Sequence, residues 1–410
     1  MAEDAGPSVV RREDDGALDE ALQRLHALGP EYRGRLSNHG PMVVEALVRG
    51  GDSASVHRWL DHYRCKLEDL PTAGDPVTDA NWREALGRTG RFTDWTRYFE
   101  QRAAEHPWRS VLAEWWPRLL PGIAEGSTHP VIRTGHAVRT LLSDEATGAG
   151  APTAPRLTEL AHALGYWAAR SRPLPRIASF PAPRSAASAL AAVPLVREQE
   201  GSLPERFAQI TALPSWPAPG TPPSLTHRAS AGDPGVDRGS DTDTSGLNGP
   251  GLDTSGLNGP RPNSPGLNGS ALNGSDAEAL LKELVEAAVH RYLTHGHGEP
   301  VMLVHSATAP NAVLRVLPAL PRELWPASLA AAWTASAAVT AAYTLSVAEA
   351  RPAARVLERA GAPAPEEISA RAAAHGNDHA IKFADTALDV GGPLARAAAL
   401  RAVELAEPFF

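Results

Sequence analysis

The sequence predicts an all-α protein: a multi-helical single catalytic unit interrupted by a disordered Gly/Pro/Asn-rich insertion. Three observations carry this expectation. Apolar residues recur at helical spacing along most of the 410 residues. Alternating Val, Ile and Thr of the strand type is nearly absent. Glycine and proline, 35 and 37 residues, crowd into one central stretch.

Residues 1–16 are polar and are expected to form a flexible N-terminus. The helical N-terminal half, 17–213, opens with Leu18, Leu22, Leu25 and Leu28, and Gly29-Pro30 stops the run. Val43, Ala46 and Leu47 share a face of the next helix, which Gly50-Gly51 ends. A third helix is expected over 56–67. Phe92, Trp95 and Phe99 follow at i, i+3 and i+7, and further helices over 111–120 and 131–142. Trp59, Trp95, Trp115 and Trp116 fall in these patterns as core residues, and Cys65 reads as a small core residue.

Residues 214–276 break the pattern. SGLNGP stands at 245–250 and 255–260, then PGLNGS at 265–270 and ALNGS at 271–275. A unit with a single Leu among Gly, Asn, Ser and Pro cannot bury a core, so a disordered low-complexity linker is expected. The helical C-terminal half, 277–410, resumes with Leu280, Leu284, Ala287 and Ala288. Helices are expected over 301–317, interrupted near Pro310, over 327–350 and over 365–373, with a closing pair.

A net charge of −8 argues against nucleic acid as a partner, because such binders carry a basic excess. Cys65 is the sole cysteine, which excludes an intramolecular disulfide framework and a cysteine-based metal cluster. The acidic start has no apolar h-region, so no secretory signal is expected. The Ala-rich stretch 327–348 is broken by Ser and Thr and reads as a soluble helix, not a membrane span. The expectation is a cytoplasmic protein with a small-molecule partner. No GxGxxG turn follows a strand, so no dinucleotide site is expected in this chain.

Four of the fifteen histidines stand out. His39 lies in LSNHGPM and His129 in EGSTHPVI, each just before a proline suited to a first helical turn. His305 lies in PVMLVHSAT, and His379 in HGNDHAIKFAD with Asp378 as a candidate N-cap. Imidazole is a common ligand for divalent transition metals. No HExxH is present. Two of the four fall in each half, so a shared site would lie between the halves. For each histidine alone, capping or a surface hydrogen bond is the competing reading. His295 and His297 in THGHGEP read as part of a Gly-rich turn, and His375 as a neighbour of the site.

At these residues the sequence resembles a family. LSNHGPMVVEALVRGGDSASVHRWLDHY, EGSTHPVIRTGHAV, VMLVHSATAPNAVLRVLPALP and HGNDHAIKFADTAL resemble, in order, four blocks of the questin-oxidase-like proteins. The resemblance implies an oxidoreductase of polyketide secondary metabolism. It would be an oxygenase, dioxygenase or Baeyer–Villiger-type, that uses O2 to open a ring of a polycyclic aromatic such as an anthraquinone. It further implies non-heme Fe(II) held by His39, His129, His305, His379 and a carboxylated Lys382. The family pattern in the second block is HPxIHxGYA. Here Arg133 stands at the second His and His136 at the Tyr, and both are expected to face the substrate in catalytic roles. Lys382 follows His379 by three residues, so both point the same way on a helix. A desolvated amine near a metal loses its proton more readily and can capture CO2 as a carbamate, an oxygen ligand. Two rivals remain: an NADPH-dependent Baeyer–Villiger monooxygenase without bound iron, and a non-catalytic helical scaffold with structural histidines.

Overall fold

Helices form where the apolar spacing places them. The computed structural model describes residues 12–148, 150–217, 274–344 and 363–410. Its first half holds α1 (Arg12–His26), α2 (Gly40–Arg49), α3 (Ser53–Arg64), the single turn α4 (Trp82–Ala85) and α5 (Phe92–Glu105). It continues with α6 (Trp108–Leu119), α7 (His129–Thr147), α8 (Ala154–Arg170) and the short α9 (Ala186–Ala191) and α10 (Leu203–Ala208). The second half holds α11 (Gly274–His295), α12 (Pro300–Leu303), α13 (His305–Val316) and α14 (Trp325–Tyr343). It ends with α15 (Pro365–His375), α16 (Asp378–Val390) and α17 (Gly392–Leu405). Strand among the described residues is confined to two ribbons. One is antiparallel, β1 (Glu31–Tyr32) with β2 (Leu36–Ser37); the other is parallel, β3 (Ala178–Pro181) with β4 (Ala212–Ser215).

Several boundaries differ from expectation, each for a physical reason. Residues 12–16 belong to α1, and 1–11 lie outside the described residues. The expected linker is ordered at both edges. Pro214 and Ser215 belong to β4, buried Trp216 donates to the carbonyl of Arg184 at 3.0 Å, and Trp333 donates to the carbonyl of Pro214 at 2.8 Å. At the other edge α11 begins at Gly274; residues 218–273, with most of the repeats, lie outside the described residues. The run expected over 301–317 breaks at Val304, between α12 and α13, and passes through Pro310 unbroken. Proline there cannot serve the carbonyl of Ser306 four residues back, and that oxygen instead accepts from Ser336 Oγ of α14 at 2.7 Å. α14 ends at Tyr343, and 345–350 lie outside the described residues. Cys65 is exposed rather than part of the core.

The two halves share one core. α7 packs between α8 and α13, and α13 packs also on α11 and α14. Trp59, Trp95, Trp115 and Trp116 are all buried, as their spacing predicts. At the crossing of α7 and α13, a Cβ on Gly135 would stand 2.6 Å from the Ala312 Cβ, so only glycine permits that approach. No helix among the described residues is long and apolar enough to cross a membrane.

Candidate metal centre

Four helices bring one histidine each to the same place. His39 precedes α2, His129 and His305 open α7 and α13, and His379 sits in the first turn of α16. Pro41 and Pro130 occupy first-turn positions, where the missing N–H costs nothing. The cap of α16 is Asn377, not Asp378: its side chain accepts from the N–H groups of His379 and Ala380 at 3.0 and 3.1 Å. That leaves the Asp378 carboxylate free to act elsewhere. Before α7, Gly126, Ser127 and Thr128 all have positive φ, at 56°, 54° and 65°. Such a conformation costs a non-glycine residue roughly 1–3 kcal/mol. Here it turns the Gly126 carbonyl back onto the ring of His129.

The rings are in contact. His39 stacks on His129 with centroids 4.4 Å apart and meets His379 edge-on at 4.6 Å. His129 meets His305 edge-on at 4.6 Å, and His305 meets His379 at 5.3 Å. Each Nδ1 faces an oxygen. His129 Nδ1 is 2.7 Å from the Gly126 carbonyl and His305 Nδ1 is 3.0 Å from the Met302 carbonyl. His379 Nδ1 is 2.7 Å from Asp378 Oδ1, and His39 Nδ1 is 2.8 Å from Asp378 Oδ2, off the line of a normal hydrogen bond. A carbonyl oxygen or an ionised carboxylate only accepts, so Nδ1 carries the proton and Nε2 carries a lone pair. Orientation of ligating imidazoles by an oxygen at the other nitrogen is the usual arrangement around a metal.

Burial depresses all four imidazoles, and the Lys382 charge bears on each of them. His39 is held down at about 3, and His129 and His305 well below the ordinary range. Burial works to raise Asp378, but His39 and His379 outweigh it and keep the carboxylate ionised. The rings are therefore neutral at pH 7, the form that binds metal.

This makes one contact decisive. His129 Nε2 and His305 Nε2 stand 2.9 Å apart. Both rings are neutral and both have spent their proton on a backbone carbonyl, so two lone pairs face each other. A cation near both removes the repulsion. Two ligands about 2.1 Å from a metal and at a right angle stand about 3.0 Å apart. Donor atoms of His39, His129 and His379 also lie within 4.8 Å of one another. His39 Nε2 has no hydrogen-bond partner. The donor set fits a divalent transition metal.

Lys382 lies one helical turn beyond His379, and its Nζ is buried without a hydrogen-bond partner. Burial pulls it down to about 8, against the opposing pull of Asp378. It does not turn out to solvent.

Residues 36–146 match the Questin oxidase-like family model. The Questin oxidase-like segment begins at β2 and ends near the close of α7, so it contains His39 and His129. It stops short of His305, His379 and Lys382, which join it through the geometry just described. No curated protein matches the chain.

Arg133 and His136, inside the Questin oxidase-like segment, are not brought to the four histidines. Arg133 forms a buried two-point pair with Glu159, at 2.6 and 2.8 Å. His136 Nδ1 is 2.6 Å from Glu45 Oε2. Around it lies a second cluster that spacing did not reveal. Glu45 of α2 also pairs with Arg139 of α7, and Asp385 of α16 pairs with Arg139 at 3.0 Å and with Arg315 of α13 at 2.6 Å. Burial works to raise Glu45, but Arg139 and His136 outweigh it and hold it at about 2. Donor atoms of Glu45, His136 and Asp385 are also close enough to share a metal, but here guanidinium groups already match the carboxylates. The cluster ties together the same four helices that carry the histidines. One signal for it was in the sequence: Glu45 sits in the otherwise apolar run PMVVEALV.

Proposed function

We propose that the protein is a non-heme Fe(II) oxygenase that uses O2 to oxidise and cleave a ring of a polycyclic, anthraquinone-like aromatic polyketide. The opposed Nε2 atoms of His129 and His305 carry the metal in this reading, and the Questin oxidase-like match supports the oxygenase class. His39, His129, His305 and His379 would hold the iron through Nε2. Bound iron would supply O2 activation, which protein side chains lack.

The chain's own groups do the rest. Asp378 and the carbonyls of Gly126 and Met302 fix the ring tautomers and directions. Tyr63 Oη accepts the backbone N–H of His39 at 2.7 Å and anchors the start of α2. Packed helix walls keep water from the reacting centre. Lys382 is the proposed fifth ligand, as a carbamate. Three helix starts (α2, α7 and α16) direct their positive ends here, and a divalent cation adds to that field. Asp378 contributes one negative charge, and a carbamate on Lys382 contributes a second, which brings the metal and its two anions to neutrality. A buried ammonium would do the reverse: at about 4 Å from a divalent ion it costs roughly 8 kcal/mol at an effective dielectric of 20.

If the electrons come from the substrate and both oxygen atoms enter the product, no nicotinamide is consumed. Anaerobic reconstitution with Fe(II), a metal count and an oxygen-electrode trace with a hydroxyanthraquinone test this. About one iron per chain and O2 uptake without NADPH are expected. Iron-free protein whose trace stays flat until NADPH is added would replace this reading with the monooxygenase one.

A further inference from the structure

One buried hydroxyl stands between the two peptide segments that aim His39 and His129. Tyr166 of α8 is buried, and its Oη lies 2.7 Å from Ser37 Oγ and 3.1 Å from Glu31 Oε1. Burial, with Glu31 beside it, raises the phenol far above its ordinary range, so Oη keeps its proton. A carboxylate only accepts, so Tyr166 donates to Glu31 and Ser37 donates to Tyr166. Arg170, one turn further along α8, holds Glu31 in turn at 2.6 Å. Both strands of the β1–β2 ribbon therefore hang on α8.

Ser37 lies two residues ahead of His39, and the chain between them has little freedom. The Asn38 N–H donates to the Pro30 carbonyl at 2.8 Å, Asn38 Nδ2 donates to the Gly29 carbonyl at 3.0 Å, and Asn38 Oδ1 accepts from the Gly40 N–H at 2.9 Å. A displacement of Ser37 is thus passed on to His39. On its other side the same hydroxyl meets the turn before α7. A Cβ on Gly126 would stand 3.1 Å from Tyr166 Oη, so the Gly126 backbone packs against it. The charges of Arg170 and Glu31 also reach Glu125 in that turn. Gly126 is the residue whose carbonyl faces His129 Nδ1 at 2.7 Å. Ser127 and Thr128, which follow it, have positive φ, and such strained residues persist only where their surroundings hold them. His39 and His129 are the pair whose rings stack at 4.4 Å.

We infer that Tyr166 is a positioning residue of the metal centre: its hydroxyl braces the His39 and His129 segments against each other and sets the spacing of their rings. It acts through Ser37 and Gly126, not as a ligand. The inference rests on the metal-binding reading given above.

The test is an anaerobic titration of the metal-free full chain with Fe(II) and with Co(II), whose visible absorption reports ligand number and geometry. Tyr166→Phe should keep the parent's circular dichroism, bind both metals about tenfold or more weakly, the scale for losing a group that orients a ligand, and show an altered Co(II) spectrum. Ser37→Ala, which leaves the tyrosine in place, should move both readouts in the same direction. Val111→Ala, a core truncation in α6, should keep the parent's affinity and spectrum. A Tyr166→Phe protein with the parent's affinity and spectrum overturns the inference. So does a Val111→Ala protein that shifts them equally, because general loosening would then account for the effect. If Tyr166→Phe does not fold, Ser37→Ala decides alone, and parent-like binding by it overturns the inference. If the parent binds neither metal, the metal-binding reading fails and the role of Tyr166 with it.

Discussion

Gly135→Ala tests the geometry of the centre from a distance. The added Cβ would stand 2.6 Å from the Ala312 Cβ, 2.7 Å from its Cα and 3.0 Å from its carbonyl oxygen. These are backbone-anchored atoms with no freedom to rotate away. Carbon atoms rest at about 3.5–4.0 Å, so α7 and α13 must part by about 1 Å at this point. Overpacking of this kind costs roughly 1–3 kcal/mol, and each kcal/mol lowers the melting temperature by about 2–4 °C in a domain of 150–250 residues, less in a longer one. The same two helices begin at His129 and His305. Parting them widens the 2.9 Å gap between the two Nε2 atoms and takes the pair off the spacing a metal needs. Thermal melts by circular dichroism and iron content after reconstitution read both effects. Gly90→Ala is the control, because a Cβ there meets nothing within 4 Å. A Gly135→Ala protein with the parent's melting temperature and iron content would refute the close crossing and its role.

Glu45→Ala should destabilise the protein by about 1–3 kcal/mol, the cost of leaving a buried hydrogen-bonding group without its partner; here that group is His136, since Arg139 keeps Asp385, and urea unfolding measures it. Acid should weaken the metal-free protein early. The folded-state pKa values of His39, His129 and His305 lie below the unfolded value, so the unfolded chain takes up protons first as pH falls. Stability is whole above about pH 6.5 and drops by about 1 kcal/mol per histidine by pH 5.5; a flat profile between pH 7.5 and 5.5 would contradict this. Lys382→Met should lose iron affinity and activity together, while Lys382→Glu should recover part of the affinity, as metal titrations would show.

Helical periodicity made most of the fold legible, since leucine and tryptophan stripes report burial directly. α8 carries such a stripe in Leu160, Leu164 and Trp167, all buried, with Thr153 and a first-turn proline at its start, and it adds a helix to those expected. Pro310 does not break its helix because Ser336, far along the chain in α14, satisfies the Ser306 carbonyl, and a local rule cannot see that contact. At the centre, the proline-flanked contexts of His39 and His129 marked helix starts, and those starts converge. What spacing could not show was which oxygen meets each Nδ1. Asp378 looked like a cap, and only the tertiary structure sets its carboxylate between His39 and His379. Arg133 and His136 share a helix face with His129, yet they stand one and two turns further along α7, where they meet Glu159 and Glu45. The ion-pair cluster that holds them joins residues from four helices, and no local pattern encodes such a meeting.

Four imidazoles and a modified lysine are proposed to hold the metal. Diffraction from crystals of the Fe(II)-reconstituted protein, grown with bicarbonate and measured on both sides of the iron absorption edge, tests this proposal most directly. One anomalous peak is expected about 2.1 Å from Nε2 of His39, His129, His305 and His379, with carbamate density continuous from Lys382 Nζ. No peak among the four rings, or a peak beside a bare Lys382 amine, would contradict it.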